Sequence, residues 1–259
     1  MELKGKVGII IGGAGGIGRA TSLRLAKEGC QVVVASRDYD KVKAVAQEVE
    51  DSGNTALGIE VDVTSLESVK QLVKSTIDKF GTIHILVNSM ASPIFGSFLE
   101  LPDESWQEVL AVKYLGSVRS MREVLPYMIR QKYGRVVNVS GSAGKEPTPV
   151  HLPGGSMNAA INQFTKGLAR EMGKHNIRIN AVSPSLTATE RAIQLAKIRA
   201  AERQIDIQTL REEDAKEVPL GRMGEPEEIA EVIAFLVSDR SSYINGACIM
   251  VDGGRTRSV

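Results

Sequence analysis

The stretch Gly12-Gly13-Ala14-Gly15-Gly16-Ile17-Gly18 decides how this chain folds. An apolar, β-branched run (residues 6–11) precedes it. A segment of helical spacing (residues 17–28) follows it and stops at Gly29. A glycine cluster alone is only a flexible turn. Between a strand and a helix it gains a purpose, because glycine permits the tight turn and a close approach of backbone to a pyrophosphate. The start of the helix then favours the anion. The stretch predicts a nucleotide site at the end of the first strand.

The same alternation continues along the chain. Strands are predicted over 31–35, 55–61, 83–87, 135–140, 177–182 and 247–251. Helices are predicted over 39–50, 103–131, 159–174 and 225–238, and Thr64-Ser65-Leu66-Glu67 predicts a capping box opening a helix that runs to residue 80. Strands apolar on both faces belong in a parallel sheet covered by helices. With right-handed crossovers this gives an α/β, Rossmann-like doubly wound sheet of about seven strands. No linker, repeat or low-complexity segment interrupts it, so residues 1–259 are expected to form one dinucleotide-binding domain. Residues 187–218 are the irregular part. They are highly charged yet carry Ile198, Ile205, Ile207 and Leu210, and are expected to form an inserted pair of helices serving as a substrate lid.

Charge and composition exclude several functions. Lys plus Arg is 32 against 31 for Asp plus Glu, a net charge of +1, which argues against nucleic acid or an anionic membrane as partner. No apolar run approaches the ~18 residues that span a bilayer. The polar start lacks the apolar core of a signal peptide, so a cytoplasmic protein is expected. Cys30 and Cys248 are too few for a disulfide framework and are expected to be small buried hydrophobes. His84, His151 and His175 are scattered, and no metal site is expected. Glycine is in excess, 25 of 259 residues, against ~7% in an average protein.

The loop spacing, Gly12-x-x-x-Gly16-Ile17-Gly18, is not the common G-x-G-x-x-G. It resembles the short-chain dehydrogenase/reductase family, whose pattern is Thr-Gly-x-x-x-Gly-x-Gly, with Ile11 at the Thr position. The resemblance continues through Asp62-Val63, Asn88-Ser89-Met90-Ala91, Ile177-Arg-Ile-Asn180-Ala-Val-Ser183-Pro184, Arg222-Met-Gly224-Glu-Pro226-Glu-Glu-Ile-Ala230, and Tyr243-Ile-Asn-Gly246 through Val251-Asp252-Gly253-Gly254. It covers essentially the whole chain and points to the branch similar to the 3-oxoacyl-ACP reductases. It implies an oxidoreductase acting on a small molecule. It also implies a homo-oligomer (tetramer or dimer), or pairing with an active paralogue. Gly12, Gly16, Ile17 and Gly18 would hold pyrophosphate and Asp62 with Val63 the adenine. Asn88 and Pro184 would also bind the cofactor, and the hydroxyl of Thr189 would reach the nicotinamide carboxamide, although Ser185 replaces the family's usual Gly. At the end of strand two a carboxylate would bond the ribose 2′-hydroxyl and repel a 2′-phosphate. This chain has Ser36-Arg37, with Asp38 one step further. A guanidinium pairs well with phosphate, so NADP(H) is expected over NAD(H).

The family transfers hydride with an Asn-Ser-Tyr-Lys tetrad. Its Tyr lies ten residues before Phe164 and thirty before Pro184, and both count back to position 154, which is Gly154. By the same register the Lys is replaced by Asn158, the Ser by Gly141 and the Asn by Lys113. Losing the general acid/base alone costs roughly 10²–10⁴ in rate. Lys113, Ser142, Tyr114 and His151 are the candidate replacements, with Ser140 and Ser156 nearby. Lys113 and Asn158 read as a swap that keeps an ammonium in the pocket. Three functions follow. The first is an NADP(H)-dependent oxidoreductase with atypical chemistry, on substrates such as an iminium ion or activated enone that need only hydride. The second is a non-redox isomerase, dehydratase, cyclase or lyase. The third is an inactive nucleotide-binding or scaffolding homologue. The first is the expectation carried forward.

Overall fold

Apolar residues along each strand alternate between two faces, and both faces are buried. Ile9, Ile11, Val33, Ala35 and Leu86 enter one core, while Ile10, Val32, Val34, Ile85 and Val87 enter the other. That double burial requires helices on both sides of a parallel sheet. The computed structural model describes residues 3–92 and 94–258 and has that form. Its strands are β1 (Val7–Ile11), β2 (Gln31–Ser36), β3 (Ala56–Glu60), β4 (Ile85–Asn88), β5 (Gly134–Val139), β6 (Ile177–Pro184) and β7 (Cys248–Val251). They form one seven-stranded sheet in the order β3-β2-β1-β4-β5-β6-β7. Every pairing is parallel.

The helices are α1 (Gly16–Lys27), α2 (Tyr39–Asp51), α3 (Leu66–Phe80), α4 (Asp103–Val109), α5 (Gly116–Gln131), α6 (Leu152–Met172), α7 (Glu190–Glu202), α8 (Ile207–Lys216) and α9 (Pro226–Val237). One core takes Leu25 of α1, Val42 and Val45 of α2 and Ile233 of α9. The other takes Val69 and Leu72 of α3, Met121 and Val124 of α5 and Ala169 of α6. Strand order reverses between β1 and β4. In doubly wound sheets the ligand crevice lies there, beyond the carboxyl ends of the strands. No helix among the described residues is long and apolar enough to cross a membrane.

Four local expectations change. Helix α3 is N-capped by Ser65, whose hydroxyl accepts from Ser68 N, so there is no capping box across 64–67. Ser68 Oγ instead accepts from Asp62 N at 3.0 Å. Helix α6 begins at Leu152, seven residues before the predicted 159. Pro153 in the first turn does not stop a helix, because that N–H has no helical partner to lose. Gly154 and Gly155 are then tolerated because they are tightly packed, with a Cβ on Gly155 only 3.0 Å from Ala143 O. The predicted helix over 103–131 contains a π-helical turn, Leu110–Leu115, between α4 and α5. Cys30 is buried as expected, but Cys248 is exposed because β7 is an edge strand with a neighbour on one side only.

Residues 187–218 contribute α7 and α8, which share a small core of Ala196, Ala200 and Leu210, with Ile205 and Ile207 packed against it. Arg199 and Asp214 pair through two hydrogen bonds, at 2.9 and 3.0 Å. The side chain of Ile198 lies outside the described residues.

At the amino-terminal end of the strands, Val7 N donates to His84 Nδ1 at 3.0 Å. The bond needs a lone pair on Nδ1. Burial, helped by the charge of Lys6, holds the His84 imidazole below its ordinary value of 6.5. The unfolded chain therefore binds this proton more readily than the folded one. The contribution of His84 is present above about 6.5 and is lost as pH falls below it. The stability difference between wild type and His84→Gln, measured by urea unfolding, is expected to shrink from pH 7.5 to pH 5. A difference independent of pH would contradict this.

Candidate active site

The glycine loop is shaped by close contacts. Gly12 has φ +79, and a Cβ there would overlap Ser89 O at the end of β4. A Cβ on Gly18 would overlap Gly12 O and lie 2.7 Å from Gly12 C. Gly16 has φ +38, and its Cβ would stand 2.7 Å from Thr189 Cγ2. Gly15 is different, with nothing among the described residues within 4 Å of its Cβ position. It is the N-cap of α1, makes no side-chain cap and is followed by no acidic residue in the first turn. The first turn of α1 therefore supplies no carboxylate of its own to compete for these amides, which suits an anion site. Open space at Gly15 and tight packing at Gly12 and Gly18 fit a pyrophosphate cradle.

Neighbouring strand ends supply the remaining cofactor candidates. Ser36 closes β2, and its carbonyl accepts from Val61 N at 2.9 Å. Arg37 follows and is exposed. Asp38 turns away to cap α2, with Oδ1 accepting from Lys41 N at 3.1 Å. Asp62 Oδ1 accepts from Thr64 N at 2.9 Å and Thr64 Oγ1 at 2.7 Å. These bonds hold its carboxyl below the usual range, and the charges of Arg37 and Arg119 add to the effect. Val63 is buried beside it. Thr189 caps α7, its hydroxyl accepting from Ala192 N at 3.1 Å. Pro184 ends β6. The Asn88 side chain is committed to the interior: Nδ2 donates to Asn138 Oδ1 at 2.9 Å and Oδ1 accepts from Ser120 Oγ at 2.8 Å.

Lys113 and Asn158 both reach the segment Ser140–Gly141 that follows β5. Lys113 lies on the π-helical turn, a feature that recurs at functional sites. It is only 7% exposed. Its ammonium donates to Ser140 O at 3.2 Å and Met90 O at 3.5 Å. An ammonium therefore reaches the residue next to Gly141 from α4–α5 rather than from α6.

The two glycines do not leave holes. A Cβ on Gly141 would lie 2.7 Å from Asn158 Nδ2, so the Asn158 carboxamide fills the space that a side chain at 141 would enter. Asn158 is 4% exposed, and its Oδ1 is buried with no hydrogen-bond partner among the described residues. A Cβ on Gly154 would overlap the Cε1–Nε2 edge of the His151 ring and lie 2.9 Å from Nδ1. The imidazole thus occupies the space beside Gly154 that a side chain there would enter. It stacks on Phe95, with centroids 4.3 Å apart and planes at 20°. Its Nδ1 is 3.2 Å from Ile94 O.

The other candidates are placed less favourably. Tyr114 packs edge-on against Phe164 of α6, centroids 5.8 Å apart. Ser140 Oγ is 3.3 Å from both Val182 O and Ser183 Oγ, facing β6. Ser142 opens a short 3-10 turn, and its carbonyl accepts from Lys145 N and Glu146 N. Sequence reasoning missed the filling role of Asn158 and the orientation of His151 by Ile94 and Phe95. One signal was available, because His151 and Gly154 are three apart at a helix start and so share a face.

Comparison with known proteins agrees with this architecture. Residues 12–256 match the family described as enoyl-(acyl carrier protein) reductase. The chain is 34% identical to the 3-oxoacyl-(acyl-carrier-protein) reductase FabG of Thermotoga maritima, covering 98% of this chain and 99% of that one. Among solved structures, L-sorbose reductase from Gluconobacter frateurii, complexed with NADPH and L-sorbose, superposes with a TM-score of 0.96 at 31% identity, covering 100% of both chains. An NAD+-bound xylitol dehydrogenase superposes at 0.92 with 30% identity, covering 98% of this chain and 100% of that one. A glycine cradle at the β1–α1 switch point, a seven-stranded parallel sheet and full-length likeness to such reductases lead to one conclusion: the chain belongs to the short-chain dehydrogenase/reductase family of oxidoreductases, in its FabG-like branch.

Proposed function

We propose that this protein is an NADP(H)-dependent oxidoreductase whose proton-handling groups differ from the family's tetrad. The observation that carries the reading is the cradle: tight at Gly12, Gly16 and Gly18, open at Gly15, and free of acid at the start of α1. In this reading the loop backbone holds pyrophosphate. Asp62 and Val63 flank the adenine, and Thr189 meets the carboxamide. The buried, unpartnered Oδ1 of Asn158 accepts from a ribose hydroxyl. Arg37 pairs with the 2′-phosphate, and Asp38 does not oppose it because its carboxylate caps α2. When bound, the reduced nicotinamide supplies hydride. Lys113 places a positive charge beside Ser140 and Gly141, where negative charge on a substrate heteroatom would be stabilised. Positioning at the end of the sheet supplies much of the remaining rate. The substrate class is a small electrophile such as an imine or activated enone. By family resemblance the protein assembles as a homo-oligomer.

Calorimetric titration tests the cofactor. NADPH is expected to bind more tightly than NADH, and Arg37→Glu is expected to weaken NADPH about tenfold and to remove the preference, as loss of a charge-assisted bond does. Absence of binding by either nucleotide would overturn the reading. With NADPH bound, 2-methyl-1-pyrroline, enones and simple ketones are then screened by loss of NADPH absorbance. Turnover confined to ketones at ordinary family rates would contradict the altered proton chemistry.

A further inference from the structure

One short segment ties together two loops at the mouth of the crevice. β7 ends at Val251, and Asp252 fixes the turn that follows: Oδ1 accepts from Gly254 N at 3.0 Å and Oδ2 from Thr256 N at 2.8 Å. The turn sets Arg255 between two neighbours. Its Nη1 donates to Ser185 Oγ at 3.3 Å, and its Nε to Glu217 Oε2 at 3.2 Å. Ser185 directly follows β6, and Glu217 caps the end of α8. Two residues further on, Arg257 N donates to Glu146 Oε2 at 2.9 Å. Glu146 N donates to Ser142 O, in the turn after β5. Residues 252–257 therefore bridge the loops beyond β5 and β6 and the end of α8. The loop beyond β6 reaches the glycine cradle. Ala188 N donates to Gly224 O at 2.8 Å and Gly224 N to Leu186 O at 3.0 Å, which makes residues 186–188 and Gly224 one bonded unit. Thr189 follows at once, its Cγ2 2.7 Å from the Cβ position of Gly16. An exposed ion pair alone contributes little. Arg255 differs, because its side chain is only 31% exposed and one of its bonds falls on the turn that leads to Thr189.

We propose that residues 252–257 are a strap across the mouth of the crevice, and that Arg255 is a positioning residue for the cofactor. Through Ser185 it holds the turn that carries Thr189 against the glycine loop. The consequence for nucleotide binding rests on the NADP(H) reading above. A glycine at position 185, usual in the family, would offer a guanidinium no side chain to bond, so the device depends on Ser185 of this chain. In that reading Arg255 acts on the nicotinamide side, where Thr189 lies, and Arg37 on the ribose phosphate at the end of β2. The strap therefore sets affinity for NADPH and NADH alike and leaves the choice between them to Arg37.

Hydrogen exchange and calorimetry on the full-length protein test this. Without nucleotide, Arg255→Gln is expected to speed exchange of the Ala188, Thr189 and Gly224 amides about three- to tenfold, and Arg255→Lys, which keeps the charge, to speed it less. Unchanged protection in Arg255→Gln overturns the strap. In titrations, Arg255→Gln is expected to weaken NADPH and NADH by the same factor, again about three- to tenfold, between a screened surface pair and a charge-assisted bond. Unchanged affinity, or a loss confined to NADPH, overturns the positioning role. Ser185→Gly is expected to weaken NADPH binding in the wild type and to add nothing in the Arg255→Gln background. Equal effects in both backgrounds overturn the link between Arg255 and Ser185. If neither nucleotide binds the wild type, the cofactor reading falls first, and the exchange measurement alone decides the strap.

Discussion

Gly18→Ala is expected to abolish measurable NADPH binding and to lower stability by about 1–3 kcal/mol, the cost of overpacking a closed site. Its Cβ would overlap Gly12 O and approach Gly12 C at 2.7 Å and Gly13 Cα at 3.0 Å. All three are backbone atoms, so no side-chain rotation relieves the contact. The loop must open, and its amides leave the arrangement that receives pyrophosphate. Gly15→Ala is the matched control. Its Cβ meets nothing within 4 Å, so stability should change by less than about 0.5 kcal/mol. Urea unfolding and calorimetric titration of both variants check this. Undiminished NADPH binding by Gly18→Ala would remove the loop from the nucleotide site.

Gly154→Tyr is expected not to restore the family's reaction. The new side chain would begin inside the His151 ring, which Phe95 and Ile94 hold in place. We expect about 1–3 kcal/mol of destabilisation, the range for forced repacking. Activity should fall, because the ring is displaced and the phenol has no Lys at 158 beside it. Combining Gly154→Tyr with His151→Ala should recover most of the stability. Gly141→Ser carries a parallel conflict, since Asn158 Nδ2 lies 2.7 Å from its Cβ position. A single Gly154→Tyr variant with full stability and new ketone reductase activity would contradict this account.

The fold was legible because its signals are local. β-Branched runs such as Val32–Val34 are buried on both faces of a strand, and glycine after β1 marks the switch point. The start of α6 was not legible, because Pro153, Gly154 and Gly155 disfavour a helix taken singly. They join one where His151 packs against Gly154 and Ala143 against Gly155. Cys248 was misjudged for a related reason: sequence shows an apolar strand but not that it lies at an edge. Counting by register picks out Gly154, Asn158, Gly141 and Lys113 in the chain. The contacts of Gly154 with His151, and of Gly141 with Asn158, could not be read that way, because they are relations of shape between residues. Only the i, i+3 spacing of the first pair left a trace in the chain.

The centre of the account is the packing of polar side chains against two glycines: His151 fills the space beside Gly154, and Asn158 the space beside Gly141. The most direct measurement is a double-mutant cycle in urea unfolding between Gly154→Ala and His151→Ala. Where the ring fills the space, Gly154→Ala should destabilise the wild type. In the His151→Ala background it should be neutral or stabilising, as Gly→Ala in a helix ordinarily is. The coupling energy predicted is at least about 1 kcal/mol, within the range for residues in contact. Additive effects of the two substitutions would contradict the claim.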